Sequence, residues 1–257
     1  MADRNKLIAE IAAQLAGRRL AFFLDYDGTL TPIVERPEDA VLDPKTREVL
    51  QRLAQRHPVA IVSGRDLEDV RRRVGLDGVH YAGCHGFEIA GPRGNRVHAT
   101  AAAAAPQLAA AADQVARDTH DLPGVQLERK RFTLAVHYRR ARDADMPAVR
   151  DAVARAQARH PALRVTSGKK VLELQPDVDW DKGRAVLWLI ETLGLEDALP
   201  VYIGDDVTDE DAFRALAGRG VGIAVQDALR PTAARYSLPG PEAVRELLSG
   251  LAAAPLR

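Results

Sequence analysis

Leu20-Ala21-Phe22-Phe23-Leu24-Asp25-Tyr26-Asp27-Gly28-Thr29-Leu30 opens with an unbroken apolar run and stops on two acids and a glycine. An apolar run without alternation suits a strand covered on both faces, as in the centre of a parallel sheet. Asp25 and Asp27 then stand at its carboxyl end, where open α/β sheets bind ligands. Gly28 permits a tight turn there. Two carboxylates at i and i+2 place an oxygen ligand and an acid/base group side by side. A turn aspartate that caps the next element is the simpler reading of such a string. The other strand ends of the chain argue against it, because they carry groups complementary to these acids.

Outward from that strand, residues 5–17 have apolar positions at helical spacing, among them Ile8, Ile11 and Leu15. On the other side, 46–55 reads as a helix and Val59-Ala60-Ile61-Val62 as a second buried strand, ending in Ser63-Gly64-Arg65. Residues 66–74 read as a helix. The pattern returns near the end of the chain: helix 183–193, strand 201–203 ending in Gly204-Asp205-Asp206, helix 210–216, strand 221–225 and helix 242–251. Strands alternating with helices predict an α/β fold built on a mostly parallel, Rossmann-like sheet. The middle differs. Residues 101–120 are rich in alanine, the best helix former, with Pro106 near the start. Strand-like stretches follow at 125–128 and 132–139, then a helix at 146–159 and further strands at 163–166 and 171–174. These predict a small α+β domain with an antiparallel sheet, inserted at 99–176 into a core formed by 1–98 and 177–257.

Composition bounds the function. The chain has 257 residues, with 36 Lys and Arg against 36 Asp and Glu. Net neutrality argues against a nucleic-acid partner, which asks for a basic face. At 46% hydrophobic and 28% charged residues the chain is globular rather than disordered. Its length suffices to bury about 70–75% of its unfolded surface. The single cysteine, Cys84, excludes an internal disulfide framework and a cysteine-based zinc cluster. No run of about 18 apolar residues offers a membrane span, and the N-terminal segment lacks the apolar region and cleavage site of a signal peptide. A cytoplasmic monomer acting on a small molecule is the expectation.

Three strand ends carry the chemistry. Ser63 and Gly64 offer a hydroxyl and backbone N–H groups, a cradle for an anion. Asp205, Asp206 and Asp209 bring further carboxylates, which also suit the start of helix 210–216. Clustered carboxylates repel unless a cation joins them, and oxygen-only ligands suit Mg²⁺. Lys182, in Asp181-Lys182-Gly183, is a natural countercharge.

Taken together, Asp25-Tyr26-Asp27-Gly28-Thr29, Ser63, Lys182 and Gly204-Asp205-Asp206-Val207-Thr208-Asp209 resemble the four motifs of the haloacid-dehalogenase superfamily of phosphotransferases. That resemblance implies a core of that fold with an inserted cap. It implies that Asp25 attacks phosphorus to form an aspartyl-phosphate and that Asp27 is the general acid/base. It places Ser63 and Lys182 on the transferring phosphoryl group. Mg²⁺ would sit on the Asp25 side chain, the Asp27 main-chain carbonyl and Asp205, with Asp206 and Asp209 completing or orienting that shell.

Further strings are similar to the trehalose-6-phosphate phosphatases: Ser63-Gly64-Arg65, His85-Gly86-Phe87-Glu88, Glu128-Arg129-Lys130, His137-Tyr138-Arg139, Gly168-Lys169 and Glu173-Leu174-Gln175-Pro176. The implied substrate is trehalose 6-phosphate, cleaved as the last step of trehalose biosynthesis. Gly64, Arg65, His85, Gly86, Glu88, Lys130, His137, Arg139, Lys169 and Glu173 are the implied substrate-binding positions. A sugar's many hydroxyls ask for such acceptors and donors. Within the same capped class, a sucrose 6-phosphate or mannosyl-3-phosphoglycerate phosphatase would share the core and differ at Glu88, Lys130 and Glu173. A non-catalytic sugar-phosphate sensor would lack Asp25 or Asp27, and both are present.

Overall fold

A computed structural model describes residues 2–92, 94–168, 170–228 and 230–253. The chain begins with α1 (Ala2–Leu15), β1 (Leu20–Leu24), α2 (Pro44–Ala54), β2 (Val59–Val62), α3 (Leu67–Val74), β3 (His80–Gly83), β4 (Glu88–Ala90) and the two-residue β5 (Arg96–Val97). It continues through α4 (Ala99–Asp118), β6 (Gln126–Arg129), β7 (Leu134–His137), α5 (Met146–Arg159), β8 (Leu163–Gly168) and β9 (Val171–Pro176). The last elements are α6 (Lys182–Thr192), β10 (Leu199–Gly204), α7 (Asp209–Ala215), β11 (Val221–Val225), β12 (Tyr236–Leu238) and α8 (Pro241–Ala253). They form two compact units: the residues up to Arg96 together with those from Trp180 onward, and Val97–Asp179.

In the first unit the sheet runs β12-β11-β10-β1-β2-β3-β4-β5. β1 pairs in parallel with β10 on one side (Phe22 with Val201, Leu24 with Ile203) and with β2 on the other (Phe22 with Val59). From β1 the chain steps outward through β2 and β3, and later through β10, β11 and β12 in the opposite direction. β1 therefore lies where the winding reverses, and the crevice of such a sheet opens beside its carboxyl end. Strand residues alternate between two faces, and two cores result. Phe22, Leu24, Ile61 and Ile203 pack with Ile11 and Leu15 of α1, Leu50 and Leu53 of α2, and Leu247 and Leu251 of α8. Ala21, Phe23, Ala60 and Tyr202 pack with Val186 and Leu189 of α6, Phe213 of α7 and Leu216. Each such large apolar side chain contributes about 1.5–3 kcal/mol by leaving water, so β1 is held from both faces.

The outer strands β3, β4, β5 and β12 lie outside the elements that the sequence pattern predicts. β3 continues the parallel set beside β2, whereas β4 runs antiparallel to β3, with Gly83 opposite Glu88. Strands of three or four residues at a sheet margin, such as His80-Tyr81-Ala82-Gly83, carry too little pattern to be read as period two.

The second unit is an antiparallel sheet, β6-β7-β9-β8, covered on one face by two helices. Leu134, Val136, Leu172 and Leu174 pack against Leu108 and Val115 of α4 and Val149 and Val153 of α5. Buried Ala104, Ala111 and Ala112 lie on the contact face of α4, where small side chains let a helix approach closely.

Candidate active site

Asp25, directly after β1, is buried and donates its backbone N–H to the Ile203 carbonyl at 2.9 Å, which ties the two strand ends together. Lys182 reaches it from the first position of α6. Asp181 caps that helix, accepting the Arg184 N–H at 2.8 Å. The cap fixes where α6 begins and so where Lys182 stands. Its Nζ donates to Asp25 Oδ1 at 2.7 Å and to Asp209 Oδ1 at 2.6 Å. Tyr202 of β10 donates its hydroxyl to the same Asp209 oxygen at 2.6 Å, and the Asp206 N–H donates to Asp209 Oδ2 at 2.8 Å. Burial alone would pull the Lys182 ammonium down, but the carboxylates of Asp209 and Asp25 outweigh it and hold the pKa well above that of an ordinary lysine. Asp25 itself is raised well above the usual carboxylate range: burial, with Asp209 and Asp205 nearby, overcomes the pull of Lys182.

Asp25, Asp205 and Asp209 each offer one carboxylate oxygen, and the three lie within 4.8 Å of one another. Burial and the neighbouring Asp209 and Asp206 push Asp205 up to about 7. Its Oδ1 is buried and accepts no hydrogen bond. Such an atom costs about 1–3 kcal/mol unless something fills the role. Gly28, at φ +78°, stands against this carboxylate, and a Cβ there would fall 2.2 Å from Asp205 Oδ2. An unpartnered oxygen, converging like charges and a glycine that leaves room form an all-oxygen set that fits a hard divalent cation. Asp209, expected behind the ligands, lies inside this cluster and is fully buried, while the Asp206 side chain is exposed. The reason is helical: Asp209 begins α7 and turns back beneath β10, whereas Asp206 heads the loop before it.

Ser63 is buried after β2, and its hydroxyl accepts the Arg65 N–H at 3.1 Å, leaving its own O–H to donate. Beside it runs a turn with three successive positive φ values, Cys84 (49°), His85 (57°) and Gly86 (94°). Left-handed backbone at non-glycine residues is costly and persists only where the surroundings enforce it. Here Cys84 N–H donates to the Arg65 carbonyl at 2.7 Å and His85 N–H to the Ser63 carbonyl at 2.9 Å. The two loops thereby hold each other. The half-buried His85 ring lies over Gly64, where a Cβ would meet it at 2.8 Å, and Gly86 rests against Ala185 of α6. Glu88, buried at the start of β4, follows that turn.

Arg65, expected among the substrate ligands, lies against Asp27. Its Nε and Nη2 donate to the two oxygens of Asp27, each at 2.7 Å, and its Nη1 donates to Asp69 at 2.9 Å. Asp69, on α3, also accepts from Arg73 Nε at 2.7 Å. The sequence pattern does not single out Tyr202 or Asp69. A tyrosine within a fully apolar strand must find a partner for its hydroxyl, and Asp69 lies at i+4 from Arg65, so both left a faint signal.

In the second unit, Glu128, Ala135, Glu173 and Thr166 are paired across β6, β7, β9 and β8 in one row. Residues so paired share a sheet face, here the face opposite the helices. His137, two residues from Ala135, is on the same face, its Nε2 3.0 Å from Glu128 Oε2. Lys130 Nζ lies 3.5 Å from the other Glu128 oxygen. The His137 hydrogen bond, opposed by burial and aided by Lys130, holds Glu128 below the usual range. Arg139 is exposed beyond β7. Lys169 lies outside the described residues.

Residues 23–242 match the trehalose-phosphatase family model. The chain is 48% identical over 258 residues to the trehalose-phosphate phosphatase of Mycobacterium tuberculosis, covering 96% of this chain and 66% of that protein. It thus spans just under two thirds of the length of that curated relative. Among solved structures, the C-terminal domain of trehalose-6-phosphate phosphatase from C. albicans superposes with a TM-score of 0.77 at 27% identity, covering 98% of this chain and 97% of the other. A haloacid dehalogenase-like hydrolase from Bacteroides thetaiotaomicron, 18% identical, shares the fold with a TM-score of 0.65 over 90% of this chain and 98% of its own. With the family's model matched from one side of the central sheet to the other, this chain belongs to the trehalose-phosphatase family, on a haloacid-dehalogenase fold.

Proposed function

We propose that this chain hydrolyses trehalose 6-phosphate to trehalose and inorganic phosphate through a phosphorylated Asp25, as the last step of trehalose formation, with Mg²⁺ as the cation. One observation carries the reading. Asp25, Asp205 and Asp209 converge beside Lys182 at the sheet's reversal point, with an Asp205 oxygen left unpartnered, in a chain of this family.

Asp25 acts as the nucleophile: its carboxylate forms a bond to phosphorus while the bond from phosphorus to the sugar oxygen breaks. Lys182 spends two of its three N–H donors on Asp25 and Asp209, which leaves one for a phosphoryl oxygen. Ser63, whose hydroxyl accepts from the Arg65 N–H, donates a hydrogen bond to another. These donors are fixed before substrate arrives, the condition under which electrostatic stabilisation is most effective. Asp27 gives a proton to the departing sugar oxygen, then takes one from the water that attacks the phosphorus. Phosphate leaves and Asp25 is restored. Acid/base assistance of this kind contributes about 10²–10⁴-fold. Asp25, Asp205 and Asp209, with the Asp27 carbonyl, would hold a divalent cation, which would supply charge neutralisation and polarise the phosphoryl group. The polar sheet face with Glu128, Lys130, His137 and Glu173 carries acceptors and donors of the kind a disaccharide requires. The same reading places the enzyme in the cytoplasm, where its one cysteine, Cys84, stays reduced.

Phosphate release from trehalose 6-phosphate, sucrose 6-phosphate, glucose 6-phosphate and mannosyl-3-phosphoglycerate, with and without Mg²⁺, tests it. The expected result is Mg²⁺-dependent release with several hundred-fold preference for the trehalose compound, about 3.5 kcal/mol of discrimination. A flat profile would keep the aspartate chemistry and overturn the disaccharide assignment. No release from any compound would overturn the hydrolytic reading.

A further inference from the structure

We propose that Arg65 is a positioning residue that sets the carboxylate of Asp27 for proton transfer and is itself set by Asp69. The proposal rests on the reading of Asp27 as acid/base. Nε and Nη2 of Arg65 fork both Asp27 oxygens at 2.7 Å. A bidentate fork fixes the plane of a carboxylate as well as its distance, which a single ammonium does not do. The fork is anchored on its far side. Nη1 donates to Asp69 at 2.9 Å, Nη2 also donates to the Pro37 carbonyl at 2.8 Å, and the guanidinium stands 5.5 Å from the centre of the Tyr26 ring. Tyr26 is held in turn by its hydroxyl on the Ala40 carbonyl at 3.0 Å. Asp69 accepts two further arginines of α3, Arg72 and Arg73, and Arg73 reaches across to the Ala40 carbonyl at 2.9 Å.

The exposures divide the roles. The Arg65 side chain is 10% exposed, whereas Asp27 is 43% exposed. All three nitrogens of Arg65 already donate to protein acceptors, so it offers a substrate little. Asp27 is gripped from one side and open on the other. Without the grip, an exposed aspartate turns among its rotamers, and proton transfer loses the advantage of a prearranged group.

The test exploits leaving groups. A sugar alkoxide needs a proton as it departs, whereas p-nitrophenolate departs without one. Arg65→Lys, Arg65→Ala and the milder Asp69→Asn are compared with the parent enzyme and Asp27→Asn on trehalose 6-phosphate and p-nitrophenyl phosphate. Circular dichroism checks that each variant is folded. At saturating sugar phosphate both Arg65 variants are expected to lose about 10²-fold in kcat, within the range of acid/base assistance, with KM unchanged. Asp69→Asn is expected to fall between them and the parent. The first turnover of p-nitrophenyl phosphate is expected to stay near the parent rate. A burst of nitrophenolate then precedes a slow steady state, because hydrolysis of the phosphorylated enzyme still needs Asp27 as base. A raised KM with kcat intact would make Arg65 a substrate ligand and overturn the proposal. Equal losses in the first turnover of both substrates would overturn it as well, leaving Arg65 a structural brace. If Asp27→Asn retains sugar-phosphate turnover, the acid/base reading fails and this proposal with it. If Asp27→Asn is inactive and the Arg65 variants match the parent, this proposal alone fails.

Discussion

Lys182 is buried with two carboxylate oxygens within hydrogen-bond distance, and its removal separates charge balance from chemistry. Lys182→Met leaves Asp25 and Asp209 facing each other without a cation. Breaking a buried pair in this way costs about 3–5 kcal/mol, so urea unfolding is expected to show that loss, with part of it recovered on adding Mg²⁺. Asp25→Asn, in contrast, is expected to abolish turnover while the fold survives, which phosphate release and circular dichroism together check. Asp205 gives a pH signature. Its pKa is about 7 in the folded chain against 3.8 for the ordinary side chain. A raised pKa means that the folded state binds the proton more tightly, so this contribution to stability is complete below about pH 4 and lost as pH rises toward 7. Metal-free Asp205→Asn is therefore expected to match the parent near pH 4 and to exceed it at pH 8 by on the order of 4 kcal/mol, the size of that shift. Added Mg²⁺ is expected to reverse that order, because only the parent keeps the ligand; thermal melts at the two pH values, with EDTA or Mg²⁺, read both effects.

At the scale of elements, each site group stands where a strand ends and a turn begins. These turns were only partly legible. The sequence marks Gly28 as a turn glycine, and its φ of +78° agrees, but its closeness to Asp205, from the far end of the chain, depends on β1 pairing with β10. Gly28→Ala meets both a left-handed backbone, about 1–2 kcal/mol, and the Asp205 carboxylate. The expected outcome is roughly tenfold or more weaker Mg²⁺ activation, about 1.4 kcal/mol, measured by titrating activity against Mg²⁺. In the turn at Cys84–Gly86, the residue types of Cys84 and His85 announce no positive φ. Its conformation is enforced by bonds to the Ser63–Arg65 loop.

On the scale of the whole molecule, the two units have separate cores, and their stabilities can be probed separately. Leu174→Ala removes a fully buried side chain of the second unit and is expected to cost about 2–5 kcal/mol. Hydrogen exchange is expected to quicken in β6–β9, with β1 and β10 keeping their protection; uniform loss across both sheets would show instead that they unfold as one. Glu173→Ala is expected to raise KM for the disaccharide phosphate far more than for a small aryl phosphate. Among the described residues, no helix is long and apolar enough to cross a membrane.

The alternation of strands and helices, the central β1 and the strand-end positions of Asp25, Ser63 and Asp205 were determined by the sequence alone. They follow from short-range pattern: an apolar run, a polar break, a helix behind it. Tertiary structure decided which charges meet. Lys182 and Asp25 are 157 residues apart, and Arg65 and Asp27 are 38 apart. Only folding could show that Arg65 grips Asp27, that Asp209 rather than Asp206 enters the acidic cluster, and that Tyr202 supports it. A side chain's residue type limits what it can bond, but its partner is chosen by the sheet order and helix phase that bring distant strand ends to one place.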